Sequence, residues 1–417
     1  MAQPKIILQI YPMLPADGAE GRIAAAPLGR DSGLYHQVLH DWTDLVRLAD
    51  DLGVWGVSTI EHHLHSEGYE VGPNPGVLNG YWAAIVKNAY IGSLGYVMAT
   101  QDPIRVAEET AILDHLTRGR FFVGLARGYQ SRWTNILGQH GGAVATLGDK
   151  SDEDHRNRAL FSERTEMLIK CWTEESFEYG GDSYEVPYPH ATGVVGYPAR
   201  RIASLAGTDG EVDDAGAVRR VSVVPKPYTR PHPPVFVATS KSPETIVYCA
   251  QRGFIPTYFM PTAAVAEHSH LYVEAAAAAG ITRAHGERQN IVRWPHITPT
   301  AAEYDRRLRD YDLDIYQNFY GPFFPQFPND PDTDHIASMK QSDIFIGGTV
   351  EQSIEAWQQL VDQVPAEYIT LIWHYAQIPK DETAEELTLF MQEVLPRLDV
   401  PDFDAARADD AAAPSVP

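Results

Sequence analysis

The feature that most restricts the fold of this chain is a regular alternation of apolar, strand-like runs with helical patterns. The alternation begins with a strand at residues 5–11, a helix near 36–52 and a second strand at 54–60. Further predicted strands lie at residues 90–98, 120–126, 234–239, 290–297 and 368–374. Further predicted helices lie near residues 103–116, 158–172, 243–251, 263–279, 350–361 and 384–395. Near-continuous apolar strands that lead into crossover helices are typical of a parallel sheet covered on both faces.

The number of these units decides between two α/β architectures. About eight β–α units in one chain predict a closed (β/α)8 TIM barrel, enlarged by long loop insertions. A doubly wound open sheet is less favoured, because no G-x-G-x-x-G motif follows the first strand, where a dinucleotide-binding fold would carry it. We expect a single barrel domain at residues 1–398 and a flexible, acidic C-terminal tail at residues 399–417.

Three long connections interrupt the alternation, at residues 128–157, 180–233 and 311–342. Connections of this length in a compact domain are usually functional or mobile. The second has an acidic, turn-rich tip, GTDGEVDDAGAVRRVSVV, for which we expect an exposed hairpin. The third, YDLDIYQNFYGPFFPQFPNDPD, is rich in aromatic residues, and both a lid over an apolar ligand and a packed surface loop are open interpretations.

Charge and composition exclude several classes of function. The chain has 56 acidic and 33 basic side chains, a formal charge of −23 that repels nucleic acid and anionic membranes. No apolar run reaches the roughly 20 residues of a membrane span, and the N-terminal sequence lacks the pattern of a secretory signal, so we expect a cytoplasmic protein. With only Cys171 and Cys249, neither a disulfide framework nor a thiolate zinc site is expected.

The stretch STIEHHLHSEGYE places Glu61, His62 and His63 directly after the second predicted strand. Catalytic groups of TIM barrels lie at the carboxyl ends of the strands, and an imidazole there can act as a base or as a hydrogen-bond donor near neutral pH. A polar loop whose histidines only pair with their neighbours is the alternative. A metal site is disfavoured, because adjacent side chains on a strand point to opposite faces and the H-E-x-x-H pattern is absent.

Two further strand ends carry groups that suit an anion. Arg127 and Gly128 follow the strand at 120–126, and an arginine beside a glycine suits phosphate, although a structural arginine paired with a carboxylate is an equal alternative. Thr239, Ser240 and Ser242 follow the strand at 234–239, where Ser242 is a natural N-cap for a helix that begins with proline. Hydroxyls and unpaired amides at a helix start favour an anionic ligand.

At these residues the chain resembles the bacterial luciferase-like flavin-dependent monooxygenase family. The resemblance rests on EHH after the second strand, DPIRVAEETAILDHLTRGRFFVGLARGY, VVPKPYTRPHPPVFVATSKSPET, and GGTVEQSIEAW with MQEVLPRL. These motifs extend from about residue 5 to residue 398, and the long connections are the divergent parts. The resemblance implies a (β/α)8 barrel, reduced FMN as cosubstrate, O2 as oxidant and commonly a homodimer.

The resemblance also implies roles for particular residues. His62 matches the catalytic histidine of the family, Arg127 the arginine that holds the flavin phosphate, and Ser240 a phosphate-binding serine. Thr239 stands where bacterial luciferase has a glutamate and Ala126 where it has a reactive cysteine, and these departures argue against light emission.

The activity implied by the family is a two-component monooxygenase. A separate flavin reductase supplies reduced FMN, and a C4a-peroxyflavin inserts one oxygen atom into an apolar organic substrate such as an aldehyde, ketone or alkene. His62 would donate or accept the proton, and Thr100 is a candidate contact of the isoalloxazine ring. Glu61 would orient the imidazole, with a structural partner on the opposite face of the strand as an equal alternative. An F420-dependent oxidoreductase on the same barrel and a non-catalytic flavin-binding subunit are the alternatives.

Overall fold

The computed structural model describes residues 3–240, 242–324 and 332–403. Its strands are β1 (Lys5–Pro12), β2 (Gly56–Thr59), β3 (Tyr90–Val97), β4 (Phe121–Ala126), β5 (Tyr179–Gly180), β6 (Glu185–Val186), β7 (Val235–Thr239), β8 (Ile255–Tyr258), β9 (Asn290–Ile297), β10 (Phe345–Gly348) and β11 (Tyr368–Tyr375).

The α-helices alternate with these strands over most of the chain. They are α1 (Gly18–Ala24), α2 (Ser32–Asp51), α3 (Pro75–Ala83), α4 (Pro103–Thr117), α5 (Ser131–Leu137), α6 (Asp152–Thr173), α7 (Arg200–Ala206), α8 (Pro243–Arg252), α9 (Thr262–Ala278), α10 (Ala301–Arg307), α11 (Leu313–Ile315), α12 (Gly321–Phe323), α13 (His335–Gln341), α14 (Val350–Gln363) and α15 (Lys380–Leu389). Short 3-10 turns lie at Leu28–Arg30, Gln139–Gly141 and Leu395–Arg397, and π-helical turns lie at Leu308–Asp312, Tyr316–Tyr320 and Phe390–Val394.

The main sheet confirms the predicted TIM barrel. Its strand order is β10-β9-β11-β1-β2-β3-β4-β7-β8, and β8 also pairs with β9, which closes eight strands into a barrel. The tenth strand, β10, pairs in parallel with the second half of β9. Because the sheet closes on itself, the doubly wound open sheet is excluded.

The central strands show why the apolar runs are nearly continuous. Strand β1 pairs in parallel with β11 over its whole length and with β2 on its other edge, and it is buried from Ile6 to Pro12. A strand that is covered on both faces has no solvent-facing positions, so its sequence does not alternate with polar residues.

The sequence prediction missed two strands of the main sheet, as well as the short two-stranded sheet formed by β5 and β6. Strand β8 is only IPTY and strand β10 is only FIGG, four residues each. Proline and glycine usually mark turns or strand ends, and a four-residue run gives too little periodicity to outweigh that signal. Only the pairing with neighbouring strands identifies these segments as strands.

Helix capping explains where the observed helices differ from the predicted ones. Helix α6 begins at Asp152, six residues before the predicted start at 158, because the Ser151 hydroxyl accepts a hydrogen bond from the amide of Asp154. Three acidic residues in its first turn also complement the positive end of the helix dipole. Helix α14 begins with a capping box formed by Thr349 and Gln352.

The chain divides into two compact units, one formed by residues 1–95 with 235–417 and the other by residues 96–234. In the second unit, one core cluster consists of Val97, Ala99, Trp133, Ala143 and Leu160. The single domain predicted at 1–398 stays a prediction. The tail predicted at 399–417 lies outside the described residues from position 404 onward.

The long connections contain more regular structure than expected. The hairpin expected at the acidic tip is present, since Val212 and Val218 form an antiparallel bridge. The third connection is helical rather than a loop over residues 311–323, and Tyr311, Ile315 and Phe319 are buried there. Its apolar residues recur at helical spacing, so the segment packs as a helix, and the lid stays a prediction. Residues 325–331 of this connection lie outside the described chain.

Within the described ranges, no helix has both the length and the apolar character that a membrane crossing requires.

Candidate functional site

The loop that follows β2 carries the first candidate residue, His62. Its Nδ1 lies 2.7 Å from Oε2 of Glu70, and its side chain is 12% exposed whereas that of Glu70 is fully buried. The backbone amide of His62 donates to the carbonyl of Gly72 over 3.0 Å. The loop therefore places a partly accessible imidazole against a buried carboxylate near the carboxyl end of a barrel strand.

Glu61 and His63 form a second pair on the same loop. Nε2 of His63 lies 3.1 Å from Oε1 of Glu61. The sequence predicted that Glu61 would orient His62, but the carboxylate found against the His62 imidazole is Glu70. Adjacent residues in an extended segment point to opposite sides, so Glu61 pairs two positions along the chain rather than one. The catalytic roles predicted for Glu61 and His63 stay predictions.

Glu70 has a second hydrogen-bond donor in Tyr11, the penultimate residue of β1. The Tyr11 hydroxyl donates to Oε1 of Glu70, and the Tyr11 ring meets the His62 ring edge-on with centroids 6.0 Å apart. Burial acts to raise the pKa of the Glu70 carboxyl, but the charges of His62 and His65 and the hydrogen bonds from His62 and Tyr11 outweigh it, so the pKa lies below its usual value. Glu70 is therefore ionised at neutral pH.

His65 completes the surroundings of His62. Its ring centroid lies 5.9 Å from that of His62, and its Nδ1 lies 2.7 Å from the backbone oxygen of Tyr69. Burial is the main cause that lowers the pKa of His65 below its ordinary value. At neutral pH His65 is thus mostly uncharged.

Buried contacts fasten the end of this loop. The Tyr69 hydroxyl donates to Asp314 over 2.7 Å, and the Arg22 guanidinium donates to the same carboxylate over 2.8 Å while it lies over the Tyr69 ring. The amide of Val71 donates to the carbonyl of Pro12 over 2.9 Å. Glu70, between Tyr69 and Val71, is therefore held from both sides.

The strand end at β7 carries the predicted hydroxyl groups. Thr239 is buried, and its Oγ1 has no hydrogen-bond partner among the described residues, whereas Ser240 is exposed. Ser242 occupies the predicted N-cap position of α8, but its hydroxyl donates to Glu244 over 2.7 Å instead of capping the helix. The helix start thus combines hydroxyl donors with an acidic residue. The negative charge of Glu244 disfavours the binding of an anion there.

In the other unit, Arg127 follows β4 and contacts a carboxylate. Its Nη1 donates to Oδ1 of Asp154 over 2.9 Å, and the Thr146 hydroxyl and the Arg158 guanidinium donate to Asp154 over 2.8 and 3.2 Å. Burial acts to raise the pKa of Asp154, but these hydrogen bonds and the arginine charges lower it to about 2. Two guanidinium groups on one carboxylate leave one net positive charge, so pairing with Asp154 is compatible with an anion site.

Gly128, the next residue, is required by the backbone. Its φ is +88°, and a Cβ at this position would lie 2.8 Å from both Thr134 Oγ1 and Val97 Cγ1. Oγ1 of Thr134 is itself buried without a hydrogen-bond partner in the described part of the chain. The Thr100 hydroxyl donates to the carbonyl of Val97 over 2.8 Å, and its contact with a flavin ring stays a prediction.

A second buried histidine cluster was not predicted. Nε2 of His296, on β9, lies 2.7 Å from Asp312, and its Nδ1 lies 3.1 Å from Glu386. His374, on β11, contacts Asp312 through Nδ1 at 2.5 Å, and the Arg307 guanidinium donates to Glu386. Burial acts to lower the pKa of His296, but the charges of Glu386 and Asp312 raise it to about 10. This imidazole is therefore positively charged at neutral pH.

The functional residues that the sequence prediction missed contact partners that are not their neighbours in sequence. Glu70 lies eight positions from His62 and 59 positions from Tyr11, and Asp154 lies 27 positions from Arg127. Asp154 lies in the run SDED, where it reads as an ordinary first-turn charge of a helix. No local pattern identifies such pairs.

Among the described residues, no group of three or more histidine, cysteine, aspartate or glutamate side chains is placed to hold a metal ion.

Comparison with known families agrees with this architecture. The family model of luciferase-like monooxygenases matches residues 21–342. The chain therefore belongs to the luciferase-like monooxygenase family.

Individual relatives are distant, and they differ in how much of the chain they cover. The alkanal monooxygenase alpha chain of Photobacterium leiognathi is 24% identical over 399 residues, which are 88% of this chain and 95% of the relative. With several other curated relatives the chain matches only about half of the relative's length.

Solved structures of two different chemistries share the fold. The FMN-bound oxygenating component of 3,6-diketocamphane monooxygenase from Pseudomonas putida, a type II Baeyer–Villiger monooxygenase, has a TM-score of 0.72 at 18% identity, over 96% of this chain and all of that one. An F420-dependent secondary alcohol dehydrogenase has a TM-score of 0.61 at 12% identity, over 95% of this chain and all of that one. At these identities the similarity shows the fold alone.

Proposed function

We propose that this protein is the oxygenase of a two-component flavin-dependent monooxygenase. It takes reduced FMN from a separate reductase and uses O2 to insert one oxygen atom into an apolar organic substrate such as an aldehyde, ketone or alkene. The observation that carries the proposal is His62, a partly accessible imidazole paired with a buried carboxylate after the second barrel strand of a luciferase-like chain. An imidazole that keeps some exposure can serve as a general acid or base.

The residues at the strand ends fit the phosphate and hydroxyl groups of FMN. Arg127 and Gly128 are proposed to bind the phosphate, because Asp154 holds the guanidinium in place and the glycine lets backbone amides approach. Thr239, Ser240 and Ser242 are proposed as further cofactor-binding residues, and the buried Thr239 Oγ1 is available to a ligand hydrogen bond.

Other parts of the proposal rest on the family alone. Thr100 is proposed to contact the flavin ring, and Glu61 and His63 are proposed to assist His62. When bound, the reduced flavin supplies the electrons that activate O2. We also propose a homodimer in the cytoplasm, as commonly found in the family.

Oxygen insertion can be tested directly. The protein is mixed anaerobically with chemically reduced FMN and a panel of aldehydes, ketones and alkenes, and then exposed to 18O2. We expect a product that carries one 18O atom and whose yield depends on reduced FMN. Stoichiometric hydrogen peroxide with no oxygenated product from any member of the panel would contradict the proposal.

The shared fold of the F420-dependent alcohol dehydrogenase favours a second candidate, a hydride transfer that uses F420 and no oxygen. Affinity for FMN and for F420, measured by fluorescence titration, separates the two. Tighter binding of F420, together with anaerobic reduction of F420 by an alcohol, would replace the first proposal by the second. A flavin-binding protein whose turnover does not change in His62→Ala would instead indicate a non-catalytic subunit.

A further inference from the structure

The imidazole of His62 is controlled by a residue that no sequence motif marks. We infer that Glu70 is a positioning residue that fixes which nitrogen of His62 carries a hydrogen, with Tyr11 as the second support of the carboxylate. The inference deepens the proposed function and rests on it for the consequence in turnover. Its structural part concerns only this chain's own residues.

The first step is the tautomer of His62. Its Nδ1 lies 2.7 Å from Oε2 of Glu70. An ionised carboxylate only accepts hydrogen bonds, so of these two atoms only Nδ1 can carry a hydrogen that they share. In the neutral ring, Nε2 then carries the basic lone pair.

The second step is the charge of Glu70. The carboxyl group is fully buried, accepts a hydrogen bond from the Tyr11 hydroxyl on Oε1, and has Nδ1 of His62 2.7 Å from Oε2. Its pKa lies below the ordinary value because the influence of His62, His65 and Tyr11 outweighs the effect of burial. A buried negative charge this close to Nδ1 favours the tautomer that is protonated there.

The third step is the conformation that aims Glu70. Its φ is +47°, in the left-handed region that residues other than glycine rarely adopt. The side chain of Tyr69 is fastened to Asp314, and the amide of Val71 is fastened to Pro12. This conformation persists because both neighbours are held, and it turns the carboxylate toward His62.

The other groups around His62 do not replace Glu70. His65 lies on the same loop, and burial lowers its pKa, so it contributes little positive charge at neutral pH. Glu67 acts electrostatically on His65, and Glu61 lies against His63. Tyr11, from β1, faces both His62 and Glu70. The Glu70 carboxylate is thus the anion that the His62 contacts identify.

The test observes the ring without any flavin. Histidine labelled with 15N is followed by NMR in the full-length protein between pH 5 and 9, and the His62 signals are assigned from their loss in His62→Gln. We expect the neutral ring of the unmodified protein to be protonated at Nδ1. A neutral ring protonated at Nε2 would overturn the inference, and this result does not depend on any variant.

Variants then test the effect on the tautomer. Glu70→Gln keeps the size of the side chain and removes its charge, so the share of the neutral His62 ring that is protonated at Nδ1 should fall. Tyr11→Phe removes the other donor to the carboxylate, so a smaller change in the same share is expected. Glu67→Gln is the matched control on the same loop and should leave that share in place. An unchanged share in a folded Glu70→Gln protein would overturn the inference.

Turnover gives a second, separable readout. In Glu70→Gln, kcat should fall roughly 10- to 100-fold with little change in KM, because the imidazole is no longer held in one tautomer. If no substrate is oxygenated by the unmodified protein, the proposed function fails while the NMR result on Glu70 and His62 stands. If turnover occurs and the kcat of Glu70→Gln is unchanged, the inference fails while the proposed function stands.

Discussion

Two regions of the same compact unit place histidine against buried carboxylates, and they differ in the number of carboxylates at the ring and in its exposure. Both nitrogens of His296 face carboxylates, and its side chain is 1% exposed. Nδ1 of His62 faces one buried carboxylate, and the side chain is 12% exposed. A proton on His296 is enclosed between Asp312 and Glu386, whereas the His62 ring keeps a small exposed fraction. We expect this exposure, rather than the histidine–carboxylate pair itself, to separate a structural histidine from a functional one.

The enclosed cluster pairs opposite charges. Arg307 and His296 supply two positive charges against Asp312 and Glu386, and Arg307 also lies 3.5 Å from Glu303 and from Glu382. Four segments meet there: strand β9, the helical segment after it, strand β11 and helix α15. Removing one member leaves a buried charge without its partner. The free energy of unfolding lost in this way is far larger than the net stabilisation that the intact pair provides. The cluster therefore holds the fold together, while the His62 loop is suited to chemistry.

The largest expected effect is on stability and comes from the enclosed histidine. His296→Gln removes the positive charge between two carboxylates and should lower the free energy of unfolding by about 3–5 kcal/mol. The matched change His62→Gln, which keeps a donor for Glu70, should cost about 1 kcal/mol. Urea unfolding of both variants measures the difference, and equal losses would remove the distinction between the two regions.

The same variant predicts a pH dependence with a definite sign. The pKa of His296 is raised from 6.5 to about 10 in the folded protein, so its contribution to stability is fully present below pH 6.5 and is lost as the pH rises through about 10. The difference in unfolding free energy between the unmodified protein and His296→Gln should therefore shrink over this range. A difference that stays constant from pH 6.5 to 10 would mean that the folded protein does not hold His296 charged.

The next effect is on catalysis and concerns the accessible histidine. His62→Gln removes the group that exchanges a proton and should lower kcat by about 100-fold or more, since general acid–base catalysis contributes roughly 10²- to 10⁴-fold. Oxygenated product formed from reduced FMN is the quantity to follow. Unfolding of the same preparation is the control, because a variant that loses activity and stability together would place His62 with the structural histidines.

The smallest expected effect concerns cofactor affinity in the other unit. Arg127→Ala should weaken FMN binding about 10- to 100-fold, as a charge-assisted hydrogen bond contributes about 1.5–3 kcal/mol. Binding of riboflavin, which has no phosphate, should be unchanged. Arg105→Ala, which removes an exposed arginine of helix α4, is the control. Equal weakening of FMN and riboflavin would show that Arg127 supports the fold through Asp154 rather than the phosphate.

Much of the fold followed from local patterns, and the exceptions have identifiable causes. The apolar run of β1 and the periodic helices such as α9 and α14 were predicted within a few residues, because burial on both faces or on one stripe leaves a direct mark on the sequence. Strands β8 and β10 were missed because IPTY and FIGG are short and contain turn-favouring residues. They are strands because neighbouring strands pair with them.

The candidate site shows the same division at the level of single residues. His62, Arg127 and Thr239 could be selected because each follows a predicted strand and carries a group suited to catalysis or anion binding. Glu70 and Asp154 could not be selected, since a carboxylate in a loop or in the first turn of a helix is ordinary. The prediction that Glu61 orients His62 chose the nearest acidic residue in sequence, and the structure places Glu70 there instead.

The sequence by itself determined the barrel, the order of its helices and strands, and which strand ends carry histidine, arginine and hydroxyl groups. The spacing of apolar residues and the residues that cap helices are local properties of the sequence, so both can be recognised without knowledge of the fold. The tertiary structure decided which carboxylate meets which histidine and how far each imidazole is exposed. Those outcomes depend on backbone conformation and on contacts between residues far apart in sequence, and burial in the fold then sets their charge.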